Sequence, residues 1–430
     1  MQKFQINDRL TIAEQPSLDD IAGLEGSAIT TLINLRPDGE AGSLGNRVER
    51  QAVSEAGFAY RFLPVTLAGL TNADVDAFAS AVRDSKGPVL AHCGTGLRAL
   101  SLYAITQVID EHLALADVPA LGQRYGMDLS AAIAFLEKRA LQRPQVKGFF
   151  DPRTWSVQYV VSDPATRHCA IIDPVLDYDE KSGQTSTESA DRILAYIAEQ
   201  GLSVEWILDT HPHADHFSAA HYLKQKTGAP TAIGDHVRDV QALWKGIYNL
   251  PELQTDGSQW DRLFSAGETF KLGTIDAKVM FSPGHTLASI TYVIGDAAFV
   301  HDTIFMPDSG TARTDFPGGS AHVLWDTIAD ILALPDETRL FTGHDYQPNG
   351  RHPRFESTVA QQKAENPHLA GIDEQSFVHL REARDRTLPM PKLILHALQV
   401  NVRGGRLPEP ESNGKRYLKI PLNALEGARW

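Results

Sequence analysis

The sequence predicts an α/β chain in two parts, a small βα domain followed by a layered αββα sandwich. Three observations carry that prediction. Over residues 1 to about 110, short apolar runs that suit buried strands alternate with helical patterns. From Phe149 the texture changes to successive strands, a helix and further strands. Histidines and carboxylates then recur where those later strands end.

In the first part, residues 30–35 (Thr-Thr-Leu-Ile-Asn-Leu) suit a short buried strand and the polar stretch 47–56 a helix. A second strand is expected over 58–65, a helix over 73–82, and a third strand over 88–91 that runs into His92-Cys93. A helix from about 98 to 109 follows. This rhythm predicts a small, mostly parallel sheet covered by helices. Residues 111–145 are helical in pattern, carry charged faces and close on Arg143-Pro144, so the first domain is expected over 1–110 and a helical linker over 111–145. The second domain is expected over 146–390. Its strands are 156–162, 170–174, the apolar run 204–209, 277–282, 289–300 and 339–343, and its helices are 188–199, 219–226 and 321–333. Residues 391–430, with turns at Gly404-Gly405 and between Pro408 and Pro410, are expected as a C-terminal extension.

A length of 430 residues exceeds one ordinary domain. Hydrophobic and charged fractions of 42% and 22% are those of a soluble globular chain with enough apolar material for full cores. The net charge of −14 disfavours nucleic acid or an anionic membrane as partner. A homo-oligomer stays open. No apolar stretch approaches the roughly 20 residues that span a bilayer. The start, Met1 to Asp8, lacks a basic segment followed by an apolar one, so no export signal is visible. Two cysteines far apart, Cys93 and Cys169, exclude a disulfide framework and make the cytoplasm the expected compartment. Cys169 lies in an apolar strand and is expected as a packed core thiol.

The segment Thr210-His211-Pro212-His213-Ala214-Asp215-His216 follows the apolar run 204–209. Three imidazoles and a carboxylate in six residues have no packing purpose there, and neutral imidazole suits zinc or iron. His285 in a Pro-Gly-His turn, Asp302 after Phe299-Val300-His301, and His344 in Gly-His-Asp-Tyr complete a metal constellation delivered from strand ends. This ordered set, over roughly residues 149–365, resembles the metallo-β-lactamase superfamily. Within it, residues 210–216, Ala312-Arg313-Thr314-Asp315-Phe316 and Gly343-His344-Asp345-Tyr346 are similar to the persulfide dioxygenases of the ethylmalonic-encephalopathy protein family.

That resemblance implies one Fe(II) per chain held by His211, His285 and Asp302, a facial triad with open positions for O₂ and sulfur. His213, Asp215, His216 and His344 would then orient ligands, shape the pocket or hold a second ion. Tyr346 would sit near the iron, and Arg313 would meet the anionic end of a glutathione-like substrate. All the residues of a two-metal hydrolytic site are also present, so two zinc ions per chain and a glyoxalase II-like thioesterase form the alternative. Elemental analysis separates the two. A non-enzymatic sulfide sensor would show no O₂ turnover.

His92-Cys93-Gly94-Thr95-Gly96-Leu97-Arg98 joins a strand to a helix. Backbone N–H groups of Gly94, Thr95 and Gly96 in such a loop form an anion nest at a helix N-terminus, a field that favours a thiolate nucleophile at Cys93, with Arg98 to bind the anion. The Cys-x4-Arg spacing is one residue shorter than the loop of tyrosine phosphatases and resembles that of rhodanese-type sulfurtransferases. Gln15-Pro16, the run Ile33 to Glu40 and the Cys93 loop together resemble the phosphatase-like or rhodanese-like domain fused to this dioxygenase type. Asp38 loosely occupies the phosphatase general-acid place, although Pro-Asp-Gly is turn chemistry in its own right. The whole chain resembles β-lactamase hydrolase-like fusion proteins. The implied function is oxidation of glutathione persulfide by O₂ to sulfite and glutathione, coupled to transfer of sulfane sulfur between thiosulfate and glutathione through a Cys93 persulfide, in sulfide detoxification. Fusion would keep a reactive persulfide near its consumer.

Overall fold

The computed structural model describes residues 1–425 and divides into two compact units, one over Met1–Ala140 and the other from Leu141 onward. The first unit is built on a five-stranded sheet in the order Lys3–Gln5, Leu10–Ala13, Val89–His92, Thr31–Asn34, Ala59–Phe62. All pairs are parallel except the outer pair of Lys3–Gln5 with Leu10–Ala13. The central strands are buried throughout, which is why they appear in the sequence as unbroken apolar runs. Val89 and Ala91 pack with Ile33, Ala99 and Leu100 on one face, while Leu90 and Leu32 pack with Ile21 and Val53 on the other.

The stretch expected as a linker is helical, over Val118–Tyr125 and Ser130–Leu141, but it is not a spacer. Val118, Leu129, Ala132 and Leu136 are buried in the core of the first unit. Their apolar spacing is sparse enough to pass for a solvated helix, and only the packing shows where they go. The first two strands, at three and four residues, were too short to give a period.

The second unit is a sandwich of two six-stranded sheets. One runs Arg262–Phe264, Thr231–Gly234, Ser203–Leu208, His168–Ile172, Val157–Ser162, Gln145–Phe150, and the other Thr269–Leu272, Ile275–Phe281, Ile290–Ile294, Ala297–His301, Arg339–Thr342, Glu356–Thr358. Val157, Ile172 and Leu208 face Val279, Tyr292, Phe299 and Phe341 between the sheets. Helices Glu188–Glu199, Ala220–Thr227 and Ile394–Asn401 cover the first sheet, and Ala321–Leu332, Val359–Glu365 and Glu374–Asp385 cover the second. The expected αββα layering is therefore present.

Three local expectations change. The stretch 289–300 is two antiparallel strands reversed at Gly295, whose φ of 59° supplies the turn. Both strands are buried, so the run looked continuous. The helix Val237–Tyr248 was not anticipated, although it buries Val237, Val240, Trp244 and Tyr248 along one side. The expected extension contains the helix Ile394–Asn401, whose Ala397 and Val400 are fully buried in the second unit. Among the described residues, no helix is long and apolar enough to cross a membrane.

Candidate metal centre and cysteine loop

The histidine segment leaves the parallel strand Ser203–Leu208 and enters the short strand Phe217–Ser218 and the helix Ala220–Thr227. His285 follows Ile275–Phe281, Asp302 follows Ala297–His301 and His344 follows Arg339–Thr342. Each ligand type thus hangs just beyond a strand clamped in a sheet. Two glycines make room. A Cβ on Gly343 would lie 2.6 Å from Asp302 Oδ1, and one on Gly284, at φ 123°, would lie 2.5 Å from the Leu324 backbone.

Hydrogen bonds select which ring nitrogen each histidine presents. Thr210 donates from both N–H and Oγ1 to the buried Asp173 carboxylate, at 2.7 and 2.8 Å. Its hydroxyl proton is therefore used, so Oγ1 accepts from His211 Nδ1 at 3.0 Å. That leaves His211 Nε2 buried, unprotonated and without a hydrogen-bond partner. His285 Nδ1 donates to the Arg313 carbonyl at 2.8 Å, and His216 Nδ1 to the Phe217 carbonyl at 3.1 Å, again freeing Nε2. His213 Nε2 lies 3.0 Å from Asp173 Oδ1, and its Nδ1 is buried and unpartnered. Asn401, from the helix in the expected extension, donates to the carbonyls of both His213 and His216 at 2.7 Å and so pins the loop.

Ligand atoms of His211, His285 and Asp302 lie within 4.8 Å of one another, and so, separately, do those of His213, Asp215 and His216. Orphaned buried imidazole nitrogens beside carboxylates cost free energy unless a cation completes them. The residues therefore fit a metal ion. His344 Nε2 stands 3.4 Å from Asp302 and 3.5 Å from Asp215, between the two groups. Burial holds His211 well below the ordinary histidine range and lowers His285 and His216, keeping the neutral form that ligates. Burial alone would raise Asp302, but His344, His285 and His211 hold its carboxyl well below the usual range. His213 and His344 go the other way: burial opposes their protonation, yet Asp173 pushes His213 up to about 9, and Asp302 with Asp215 pushes His344 up to about 9.

A cleft of about 730 Å³ opens onto Asp215, His285, Asp302 and His344. Phe305, Phe316, Trp155 and Tyr346 form aromatic wall. The Tyr346 ring is parallel to His344 at 5.5 Å between centroids; the residue is half exposed, and partial desolvation of its phenol, with the nearby Asp302 and Asp215 carboxylates, raises it above the ordinary range. Arg313 lines the same cleft, but its guanidinium is already engaged by Asp315 at 2.6 and 2.7 Å and by the Pro389 carbonyl at 2.6 Å. What Arg313 contributes to the ligands is its backbone carbonyl on His285. That segment is in turn held by Asp385, which accepts from Thr314 N–H and Oγ1 at 2.8 and 3.0 Å and pairs with the fully buried Arg381 at 2.6 Å. Sequence patterning did not flag Asp173, Asn401, Arg381 or Asp385. A buried carboxylate has no local signature when its partners lie far along the chain.

In the first unit, Gly96, at φ 87°, starts the helix Leu97–Ile109, and its N–H donates to Cys93 Sγ at 3.2 Å. Cys93 is only 2% exposed, Gly94 is half-buried and Thr95 is at the surface. Arg98 donates to the Leu35 carbonyl at 3.4 Å and pairs with Glu40 at 2.7 Å. Glu40 also takes Arg36 at 3.0 Å, and Arg36 donates to Gln15 Oε1 at 2.9 Å. Gln15 reaches Glu49, which pairs at 2.6 Å with His92, both residues being fully buried. Asp38 lies in the turn closed by the Glu40 N–H on the Pro37 carbonyl, and its carboxylate accepts the N–H of Asn46, the first residue of the helix Asn46–Glu55, at 2.7 Å. Cys169 is buried in its strand and burial pushes the thiol up to about 12, an inert core group.

Comparison with known proteins divides the chain in the same way. Residues 3–110 match the model of the β-lactamase hydrolase-like protein, phosphatase-like domain, and residues 156–344 that of the metallo-β-lactamase superfamily. A β-lactamase hydrolase-like protein of Xylella fastidiosa (strain 9a5c) is 64% identical over 100% of both chains. Glyoxylase B2 of Dictyostelium discoideum is 48% identical over 63% of this chain and 94% of its own length. Persulfide dioxygenase ETHE1 of Mus musculus is 26% identical over 64% and 98%. The crystal structure of ETHE1 from Myxococcus xanthus covers 61% of this chain and 100% of its own, with 31% identity and a TM-score of 0.50.

Proposed function

The chain belongs to the β-lactamase hydrolase-like protein family, and we propose that it is a bifunctional sulfur enzyme: an iron-dependent persulfide dioxygenase joined to a sulfurtransferase. One observation carries the first half. Two imidazole nitrogens and one carboxylate, from His211, His285 and Asp302, converge as a set at the end of an aromatic cleft. That donor set is the one ferrous iron takes in oxygenases, and the similarity to ETHE1 points the same way. When bound, ferrous iron supplies open positions for O₂ and the substrate sulfur. The overall change is that glutathione persulfide, O₂ and water become glutathione and sulfite.

The chain's own residues do the rest. Asp173 through Thr210, and the Arg313 carbonyl, fix the ring faces of His211 and His285, so that ligand geometry exists before metal arrives. Phe305 and Phe316, both buried, give the cleft an apolar wall beside the ligands. Tyr346, which lines the cleft with its ring parallel to His344, offers an O–H to the persulfide. In the first unit, Cys93 takes the sulfane sulfur as a persulfide, with the Gly96 N–H beside it.

A second reading has its own support. His213, Asp215 and His216 form another ligand group, and Glyoxylase B2 is a relative, so a two-zinc thioesterase is the competing activity. Metal analysis of anaerobically purified protein, with O₂ uptake on glutathione persulfide, separates them. About one iron per chain and O₂ consumption are expected. Two zinc ions per chain, with thioester hydrolysis and no O₂ uptake, would overturn the dioxygenase reading.

A further inference from the structure

The cradle around Cys93 holds a carboxylate of its own. Glu40 sits on the loop that leaves the strand Thr31–Asn34, between the left-handed glycines Gly39 and Gly42. Its Oε2 takes Arg98 at 2.7 Å and its Oε1 takes Arg36 at 3.0 Å. A Cβ built on Gly94 would lie 3.9 Å from Oε1, so the carboxylate hangs over the first residue of the Cys93 loop. Cys93, the residue before Gly94, is 2% exposed. Arg98, the cation positioned to bind a substrate anion, is therefore neutralised from within.

We propose that Glu40 sets the donor class of the Cys93 site, admitting thiol persulfides and disfavouring dianionic oxyanions, thiosulfate and phosphate monoesters alike; this rests on the sulfurtransferase reading above. The argument is one of charge. The guanidinium groups of Arg36 and Arg98 share the single Glu40 carboxylate, which leaves one positive charge beside the loop. A Cys93 persulfide carries the same single negative charge as the thiolate it replaces, so the sulfur-loaded state leaves the balance unchanged. A dianion needs the positive charge that Glu40 already occupies, and it reaches the Arg98 guanidinium only by displacing Glu40. The short Cys-x4-Arg loop acts in the same direction, since it is one residue shorter than the loop that rings a phosphate.

In the transfer step, Cys93 Sγ attacks the outer sulfur of the donor persulfide. The Sγ–S bond forms as the donor's S–S bond breaks; the donor leaves with the bonding pair as a thiolate and takes up the proton of the outer sulfur, so Cys93 is left as the persulfide anion. The sulfane sulfur keeps its oxidation level, so no oxidant is required. The loop bearing Glu40 must shift for the donor to reach Sγ, and the two left-handed glycines are where it can turn.

The test uses the full chain. Sulfur loading of Cys93 is followed by intact mass in single turnover, from glutathione persulfide and from thiosulfate, with Cys93→Ser as blank. Tungstate binding is measured by calorimetry as an oxyanion probe that needs no turnover. The native chain should load from glutathione persulfide at least about tenfold faster than from thiosulfate, and bind tungstate weakly. Glu40→Gln should gain about tenfold in tungstate affinity and in the thiosulfate rate, with the persulfide rate within about threefold of native. Glu40→Asp, which keeps the charge, should retain the native ranking. Native preference for thiosulfate, or a Glu40→Gln protein with unaltered tungstate affinity and donor ratio, overturns the proposal. A native chain that loads from neither donor, while Glu40→Gln gains tungstate, would instead remove the sulfurtransferase reading and leave Glu40 as an anion filter.

Discussion

In the second unit, His211 and His213 each have one ring nitrogen beside a hydroxyl or carboxylate and another that is buried without a hydrogen-bond partner. In the first unit, the two cations flanking the reactive group, Arg36 and Arg98, are both taken by Glu40. Both sites lie just past the end of a buried strand, so their scaffolds are equally rigid. The difference is one of completeness. The candidate metal ligands include buried imidazole nitrogens without hydrogen-bond partners, whereas the charged side chains around the cysteine loop are paired with one another. A site for a permanent resident can carry unsatisfied donors, because the resident satisfies them. Around Cys93, internal partners offset the cost of holding charged groups away from water.

The largest test of this contrast is Asp302→Ala. Removing the one carboxylate of the triad should abolish metal retention, by about a hundredfold or more in affinity, and O₂ uptake with it. Sulfur loading of Cys93 should continue. Metal content and oxygen-electrode rates on the same preparation check this, and an iron-replete Asp302→Ala protein would mean the triad is misassigned. Cys93→Ser is the reciprocal change. A hydroxyl cannot carry a persulfide, so transfer should vanish while O₂ uptake on pre-formed glutathione persulfide survives. Equal loss of both activities in a folded protein would show that the sites are not independent.

Smaller effects probe the supports. Asp385→Ala leaves the buried Arg381 unpaired and frees Thr314, which should destabilise the second unit by about 3–5 kcal/mol. Because that segment carries the Arg313 carbonyl, metal affinity should also fall by about tenfold, measured by chelator competition. Thermal unfolding that stays at the native temperature would show that the pair does not hold the segment. The smallest effect belongs to Arg313→Ala. Its side chain is occupied by Asp315 and Pro389, and the carbonyl on His285 is unaltered by substitution. Metal content should be native and KM for glutathione persulfide should change by less than about threefold. A rise of about a hundredfold in KM would restore Arg313 as the anchor for the substrate anion.

The sequence determined the class of the fold, the αββα layering and the residue types of the metal set, for a physical reason. A strand buried on both faces must be an apolar run, and a ligand delivered from its end lies within a few residues of it, so both are local. His211, His285, Asp302, His344 and Cys93 were legible in that way. Tertiary structure decided what local patterning cannot carry. Asn401 lies 185 residues from the His216 carbonyl it holds, and Asp385 lies 71 residues from Thr314. The support of His285 is a backbone carbonyl, a group every residue has and no residue type announces. Arg98 and Arg313 have the charge to bind an anion, but Glu40 and Asp315 claim it first. Residue type sets which interaction a side chain can make, while the fold sets which partner arrives.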